Sequence, residues 1–256
     1  MPLQVGIVLI GATISLPYAL AVSSVYLPWI SLFVIVSFVA GLMLGKLLGI
    51  HHRVAFLLSS GAAICGGTAM AAVAPIIKAK PQELLIAMTI VFLLNAAAII
   101  IFPIMGNYLA MNNFEFGAWS ALAIHDTSSV IGSALIFSNE SAQVAATLKL
   151  GRTIWLIPLI LFANWMFNKQ TQVTKFPRFI LFFILAIIAN TLFAFNEQAI
   201  NLLQISSQAF LLFGLFCIGS QFDSIELKSI SGKPLILALM LWAIVIPSAY
   251  FLVKYF

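Results

Sequence analysis

Charge is what this sequence has least of. Only 7% of its 256 residues are Asp, Glu, Lys or Arg, against about 25% in a soluble domain. Residues 1–45, 54–77, 84–114, 198–222 and 234–253 carry none at all. A soluble enzyme or a nucleic-acid-binding domain is excluded on that ground. Cysteine is nearly absent too. Cys65 and Cys217 have no CxxC spacing, so no disulfide framework, zinc ribbon or redox pair is signalled, and each reads as a small packing residue. The chain has no HExxH, no GxSxG and no Cys–His pair; no enzyme activity, metal site or cofactor is expected. The first segment lacks a basic n-region and a small-x-small cleavage site, so it is not read as a cleaved signal peptide. With no soluble linker, residues 1–256 form one transmembrane domain.

Long apolar runs are present in abundance. The chain is 63% hydrophobic, its mean hydropathy is +1.14, and about 20 apolar residues cross the hydrocarbon core as a helix. The pattern predicts an all-α polytopic membrane protein of about nine transmembrane segments, near 3–22, 27–50, 54–77, 84–108, 117–138, 147–167, 176–196, 199–222 and 233–254. The net charge of +5 is assigned to membrane loops. On this count Lys46, Arg53, Lys169, Lys175, Arg178, Lys228 and Lys233 share one face, and Lys78, Lys80, Lys149, Arg152 and Lys254 the other. The bias favours the N-terminus inside and the C-terminus outside.

Two of these segments read as broken helices. The first contains Cys65-Gly66-Gly67-Thr68, the second His125-Asp126-Thr127-Ser128-Ser129. Paired interrupted segments are the best sequence pointer to a transporter's binding site. Backbone can break at membrane depth only where protein or a wet cavity satisfies it, so both are expected to approach each other and line one cavity. Gly66-Gly67 permits positive φ, and a helix restarting near Thr68 would present free N–H groups to an anion; a close helix crossing through small residues is the other reading. Asp126 is the only acid well inside a predicted span, and an intramembrane ionisable residue marks a functional site by default. The alternative is a span ending near residue 124, with His125–Ser129 in a wet loop.

Lys149 and Arg152 are spaced i, i+3 and share a helix face. They can hold an oxyanion, Arg in bidentate fashion, or snorkel at the interface. Asn95, inside an apolar run, reads as a helix-packing residue. Pro103, Pro158 and Pro247 read as kinks. Gly6–Ile14 and Gly214–Phe222 share a pattern of Gly, four residues, Gly, and a small residue. Seven spans apart they would lie in opposite orientation, as an inverted repeat requires.

The same residues carry a family resemblance. Ala63 through Ala79, Phe116-Gly117-Ala118-Trp119, Ala123-Ile124-His125-Asp126 and Leu148-Lys149-Leu150-Gly151-Arg152 resemble, in order, the sulfate exporter (YeiH-like) family of bacterial inner-membrane transporters. Gly6–Gly11 resembles the glycine-rich span that precedes its signature. The resemblance implies ten or eleven spans, a location in the bacterial cell inner membrane, and sulfate or a related sulfur oxyanion as substrate. Relatives usually have one or two further spans before the glycine-rich one, and often Gln where this chain has Ser129.

The expected function is secondary transport, in the export direction, of a small oxyanion such as sulfate. Gly66, Gly67, Thr68, Thr127, Ser128, Ser129, Lys149 and Arg152 would bind the substrate near mid-membrane. His125 and Asp126 would couple transport to protons or gate it, because His titrates near neutral pH in water. The partners implied are the small anionic substrate and the lipid bilayer, with a homo-oligomer left open and no nucleic acid. The rival readings are a cation or proton antiporter built on Asp126, and a membrane protein that transports nothing.

Overall fold

A computed structural model describes residues 2–167, 178–219 and 232–255. All regular structure among them is helical: α1 (Pro2–Gly11), α2 (Leu16–Leu47), α3 (His52–Ala63), α4 (Gly67–Val73), α5 (Pro81–Tyr108), α6 (Asn113–Ala123), α7 (Thr127–Phe137), α8 (Asn139–Thr153), α9 (Leu156–Phe167), α10 (Arg178–Phe193), α11 (Glu197–Gly219) and α12 (Gly232–Lys254). Among the described residues four stretches are long and apolar enough to cross a bilayer: Tyr26–Leu47, Pro81–Tyr108, Asn139–Phe167 and Gly232–Lys254.

The polar pairs at the helix ends define two faces of the molecule. His51 Nδ1 lies 3.3 Å from Glu83 Oε1, so the start of α3 and the start of α5 share one face. Asn113 Nδ2 donates to Glu140 Oε2 at 2.9 Å, and the rings of Phe116 and Phe137 stack with centroids 4.0 Å apart. The start of α6, the end of α7 and the start of α8 therefore share the opposite face. Lys254 Nζ pairs with Glu115 Oε1 at 2.8 Å and puts the end of α12 there too.

This corrects the expected topology. Segments 54–77 and 117–138 do not cross. Each is a helical hairpin that enters from one face, breaks, and returns to the same face. The first is α3–α4, the second α6–α7, and they enter from opposite faces. The first predicted span fails for a different reason. The chain turns at residues 12–15, and α2 then runs on through Pro28 and the expected loop at 23–26. Ser15 is extended and Pro17 stands in the first turn of α2, where a proline's missing N–H costs nothing. Within a membrane helix Pro28 is tolerated.

Small residues bring the hairpins close to their supports. A Cβ built on Gly45 would fall 2.5 Å from Ala55 Cβ, and one on Gly41 would strike the Ser59 side chain; α2 and α3 are pressed together there, as membrane helices are where both carry small residues. Ser59 and Ser60 donate to the carbonyls of Ala55 and Phe56, at 2.7 and 2.6 Å, so their hydroxyls cost nothing in an apolar setting.

α1 packs chiefly on α11 and α10, and Ser207 Oγ donates to the Gly6 carbonyl at 3.0 Å. The suggested inverted repeat pairs this α1 segment with the end of α11, but residues 220–222 of its second copy lie outside the described residues.

Candidate functional site

The hairpin tips meet halfway between the two faces. At about 1.5 Å per residue, the 12-residue α3 and the 11-residue α6 reach about 18 and 16 Å inwards. Together they match the roughly 30 Å of a bilayer's hydrocarbon core. The first tip is Ile64-Cys65-Gly66. Gly66 adopts φ +61, ψ −124, a conformation essentially restricted to glycine. A Cβ on it would stand 3.1 Å from Asp126 Cα and 3.2 Å from Asp126 Cβ. The backbone of one tip thus lies directly on the backbone of the other. The two broken segments approach each other as expected, but the apolar cavity beside them is lined by none of Gly66–Thr68 or His125–Ser129.

The second tip is Ile124-His125-Asp126, both flanking residues extended. Asp126 caps α7: its Oδ2 accepts from Ser128 N at 3.0 Å and Ser129 N at 3.3 Å. A carboxylate suits that place because the first N–H groups of a helix are unpaired and its dipole end is positive.

The opposite dipole ends need positive charge, and α8 supplies it. Lys149 and Arg152 are both 0% exposed. Lys149 Nζ donates to the Ile124 carbonyl at 2.7 Å. Arg152 reaches both hairpins. Its Nε donates to Ala63 O at 2.6 Å and its Nη2 to Ala62 O, both at the end of α3. Its Nη1 donates to Ala121 O at 3.1 Å and Leu122 O at 2.7 Å, at the end of α6. Four of the five guanidinium N–H groups are committed to carbonyls that no longer have helical partners. The Phe33 ring lies 5.7 Å from the guanidinium carbon. Among the described residues the ion pairs are His51–Glu83, Arg53–Glu83 and Lys254–Glu115; no carboxylate comes within 4.0 Å of Lys149 or Arg152.

Several polar groups at this level lack partners among the described residues. His125 is 1% exposed and its Nδ1 bonds to nothing. Asn95 is 1% exposed with both amide atoms unpaired. A Cβ on Gly67 would meet Phe92 Cζ at 3.0 Å, so α5 touches the first tip at Phe92. Asn95 lies three residues further, on the same helix face. Asn95 is expected to hydrogen-bond across helices as a packing residue, but among the described residues its amide has no partner; a polar residue in an apolar run is the only signal the sequence gives. Thr127, Ser128 and Ser129 are 7–8% exposed, whereas Thr68 is exposed on α4. Gly66, Gly67, His125, Asp126, Lys149 and Arg152 are thus brought to one crossing, with Thr127–Ser129 beside it in the first turn of α7 and Thr68 turned outwards. Beside the first tip an apolar cavity of about 310 Å³ is walled by Phe38, Ile64, Trp155, Leu159 and Phe162 among others.

A profile described as conserved hypothetical protein 698 matches residues 1–238. The chain belongs to that family. Its relatives include proteins named UPF0324 membrane protein. The one from Bacteroides thetaiotaomicron is 38% identical over 249 residues, which covers 95% of this chain and 74% of the relative. The one from Vibrio vulnificus is 38% identical, with 95% and 80% covered. The one from Shewanella oneidensis is 37% identical, with 94% and 76% covered. No solved structure matches the chain. The relatives' names and the four long apolar helices agree: this is a multi-pass membrane protein.

Proposed function

We propose that this protein is a secondary transporter of a small oxyanion in the bacterial inner membrane, with its site at the crossing of the two hairpin tips. One observation carries the reading. Lys149 and Arg152 are wholly buried midway between the faces, with no carboxylate of the described residues within 4.0 Å, and Asp126, the acid at the tips among those residues, caps its own helix. Two positive charges against one negative leave an excess of one. Unbalanced buried charge is expensive, and an anion arriving at the tips would balance it. The resemblance to the sulfate exporter family supports an oxyanion as that anion. Lys149 is the better ligand of the two cations, since it commits one of its three donors whereas Arg152 commits four of five. His125 and Asp126, at the tip itself, are placed to gate or proton-couple the movement. The protein is no enzyme on this reading and needs no cofactor. A cation antiporter built on Asp126 fits less well, because the two fixed cations would repel the cargo.

The direction across the membrane follows from charge. Lys46, Arg53, Lys78, Lys80 and Lys233 stand at the face of α3's start, and Lys254 at the opposite one, beside Glu115 and Glu140. The basic face is taken as cytoplasmic. Impermeant thiol labelling of intact cells checks this: a cysteine at Glu140 should react and one at Lys78 should not. The reverse pattern inverts the orientation, and labelling of both would undo the hairpin topology. The function itself is tested by anion flux in proteoliposomes. Lys149→Met should abolish flux while Lys46→Met leaves it intact; equal effects would remove Lys149 from the site.

A further inference from the structure

The chemistry left unused at the hairpin tips bears on the substrate's form. Among the described residues the charge balance there is Lys149 and Arg152 against Asp126, an excess of one positive charge. A monovalent anion cancels it. A dianion such as fully ionised sulfate would leave a net negative charge buried instead, at comparable cost.

The hydrogen-bonding inventory is equally specific. On the donor side, two N–H groups of Lys149 and one on Nη2 of Arg152 have no acceptor among the described residues, and Asn95 Nδ2 is free. On the acceptor side stand His125 Nδ1 and Asn95 Oδ1, both buried and unpaired. The other ring nitrogen of His125 donates to the Ala62 carbonyl, and the cations of Arg152 and Lys149 lie near the ring. Next to two cations a nitrogen lone pair is favoured over an outward N–H, since the lone pair is the negative end of the group. A buried acceptor without a donor is a standing cost. Sulfate, nitrate and chloride have no hydrogen to give it.

We infer that the tip site takes a monovalent oxyanion bearing a hydroxyl, of the hydrogen carbonate or hydrogen sulfite type, whose hydroxyl donates to His125 Nδ1 while its charged oxygens accept from Lys149. This rests on the transporter reading above and narrows its substrate class.

The test uses the purified full chain in detergent and three probes at one pH of about 8: hydrogen carbonate, nitrate and sulfate. Hydrogen carbonate and nitrate are both planar monovalent trioxyanions, so they differ chiefly in the hydroxyl. Binding is read from ligand-dependent thermal stabilisation, which follows mass action, and flux from proteoliposomes. Hydrogen carbonate should bind at least about tenfold more tightly than nitrate, the effect expected when a buried partner is otherwise orphaned, and sulfate should bind most weakly. His125→Leu should bring hydrogen carbonate and nitrate to the same affinity. Should that variant not fold, the wild-type ratios decide alone. Sulfate binding as tightly as hydrogen carbonate, with flux to match, overturns this inference and leaves the transporter reading standing. Nitrate equal to hydrogen carbonate in the wild type also overturns it. Absence of both binding and flux for all three overturns the inference and the transporter reading together.

Discussion

Hairpin α6–α7 is buried on both arms, from Phe116 to Ala123 and from Thr127 to Ala134, whereas hairpin α3–α4 buries α3 but turns Thr68, Ala71 and Pro75 of its return arm outwards. Their tips differ in the same sense. α7 begins under a carboxylate cap from Asp126; α4 begins at Gly66, with no side-chain cap. The outgoing arms α3 and α6 end alike, on the guanidinium of Arg152. A buried, capped hairpin that packs on α5 and α8 is a fixed wall. A hairpin with an uncapped, partly exposed seven-residue arm has fewer contacts to break, and such elements open at lower free energy. The α4 arm is therefore the part of the crossing expected to move, against a stationary α6–α7.

Arg152 should matter most, because it is common to both hairpins. Arg152→Leu leaves the carbonyls of Ala63, Ala121 and Leu122 without donors and that of Ala62 with the His125 ring alone. Breaking such a buried polar set costs about 3–5 kcal/mol. Arg152→Lys should recover only part of it, since one ammonium cannot fork to two helix ends. Thermal unfolding in detergent gives the number, and a loss below about 1 kcal/mol would mean that the carbonyls find other partners.

Gly66→Ala comes next. The φ of +61 with ψ −124 costs a side-chain-bearing residue about 1–3 kcal/mol, and the new methyl also presses on the Asp126 backbone, 3.1 Å away. Gly151→Ala is the control. Its Cβ would find Leu27 at an ordinary 3.7 Å, and inside a helix the change should be neutral or stabilising by up to about 1 kcal/mol. Similar melting points for the two variants would show that the crossing is looser than the geometry implies.

Asp126 tests the cap that only one hairpin has. Asp126→Ala should cost about 0.5–2 kcal/mol, and Asp126→Asn much less, since Asn caps nearly as well. If Asp126→Asn keeps the melting point but loses flux, the carboxylate's charge serves transport; if both properties persist, its role is the cap alone.

Much of this arrangement was legible in the sequence. Gly66-Gly67 and His125–Ser129 marked the breaks because no other stretch of this chain joins so many small or polar residues inside an apolar run. The i, i+3 spacing placed Lys149 and Arg152 on one face. The hairpins were not legible. A stretch of 22–24 apolar residues has the length of a crossing whether it crosses or doubles back, and what decides is the pairing of His51 with Glu83 and of Asn113 with Glu140, contacts between residues 27–32 positions apart. Nor could the targets of Arg152 be read, since they are carbonyls of Ala and Leu, residues whose side chains say nothing about them.

Thr68 gives the smallest expected effect and the most direct view of the difference between the arms. It is exposed on α4, while Ser129, near the start of the second hairpin's return arm, is 7% exposed. Thr68→Val should change stability by no more than about 0.5 kcal/mol, as exposed substitutions do. With Cys65 and Cys217 replaced by Ser, a cysteine at position 68 should react with a small membrane-permeant thiol reagent much faster than one at 129. The thiolate is the reacting form, so reagent, water and local opening must all reach it. If the α4 arm moves during transport, saturating anion should change the labelling rate at 68 several-fold and leave the slow rate at 129 as it was. Equal changes at both positions would mean that the two hairpins move as one body. A large change at 129 alone would make α6–α7 the moving part and invert the assignment of wall and gate.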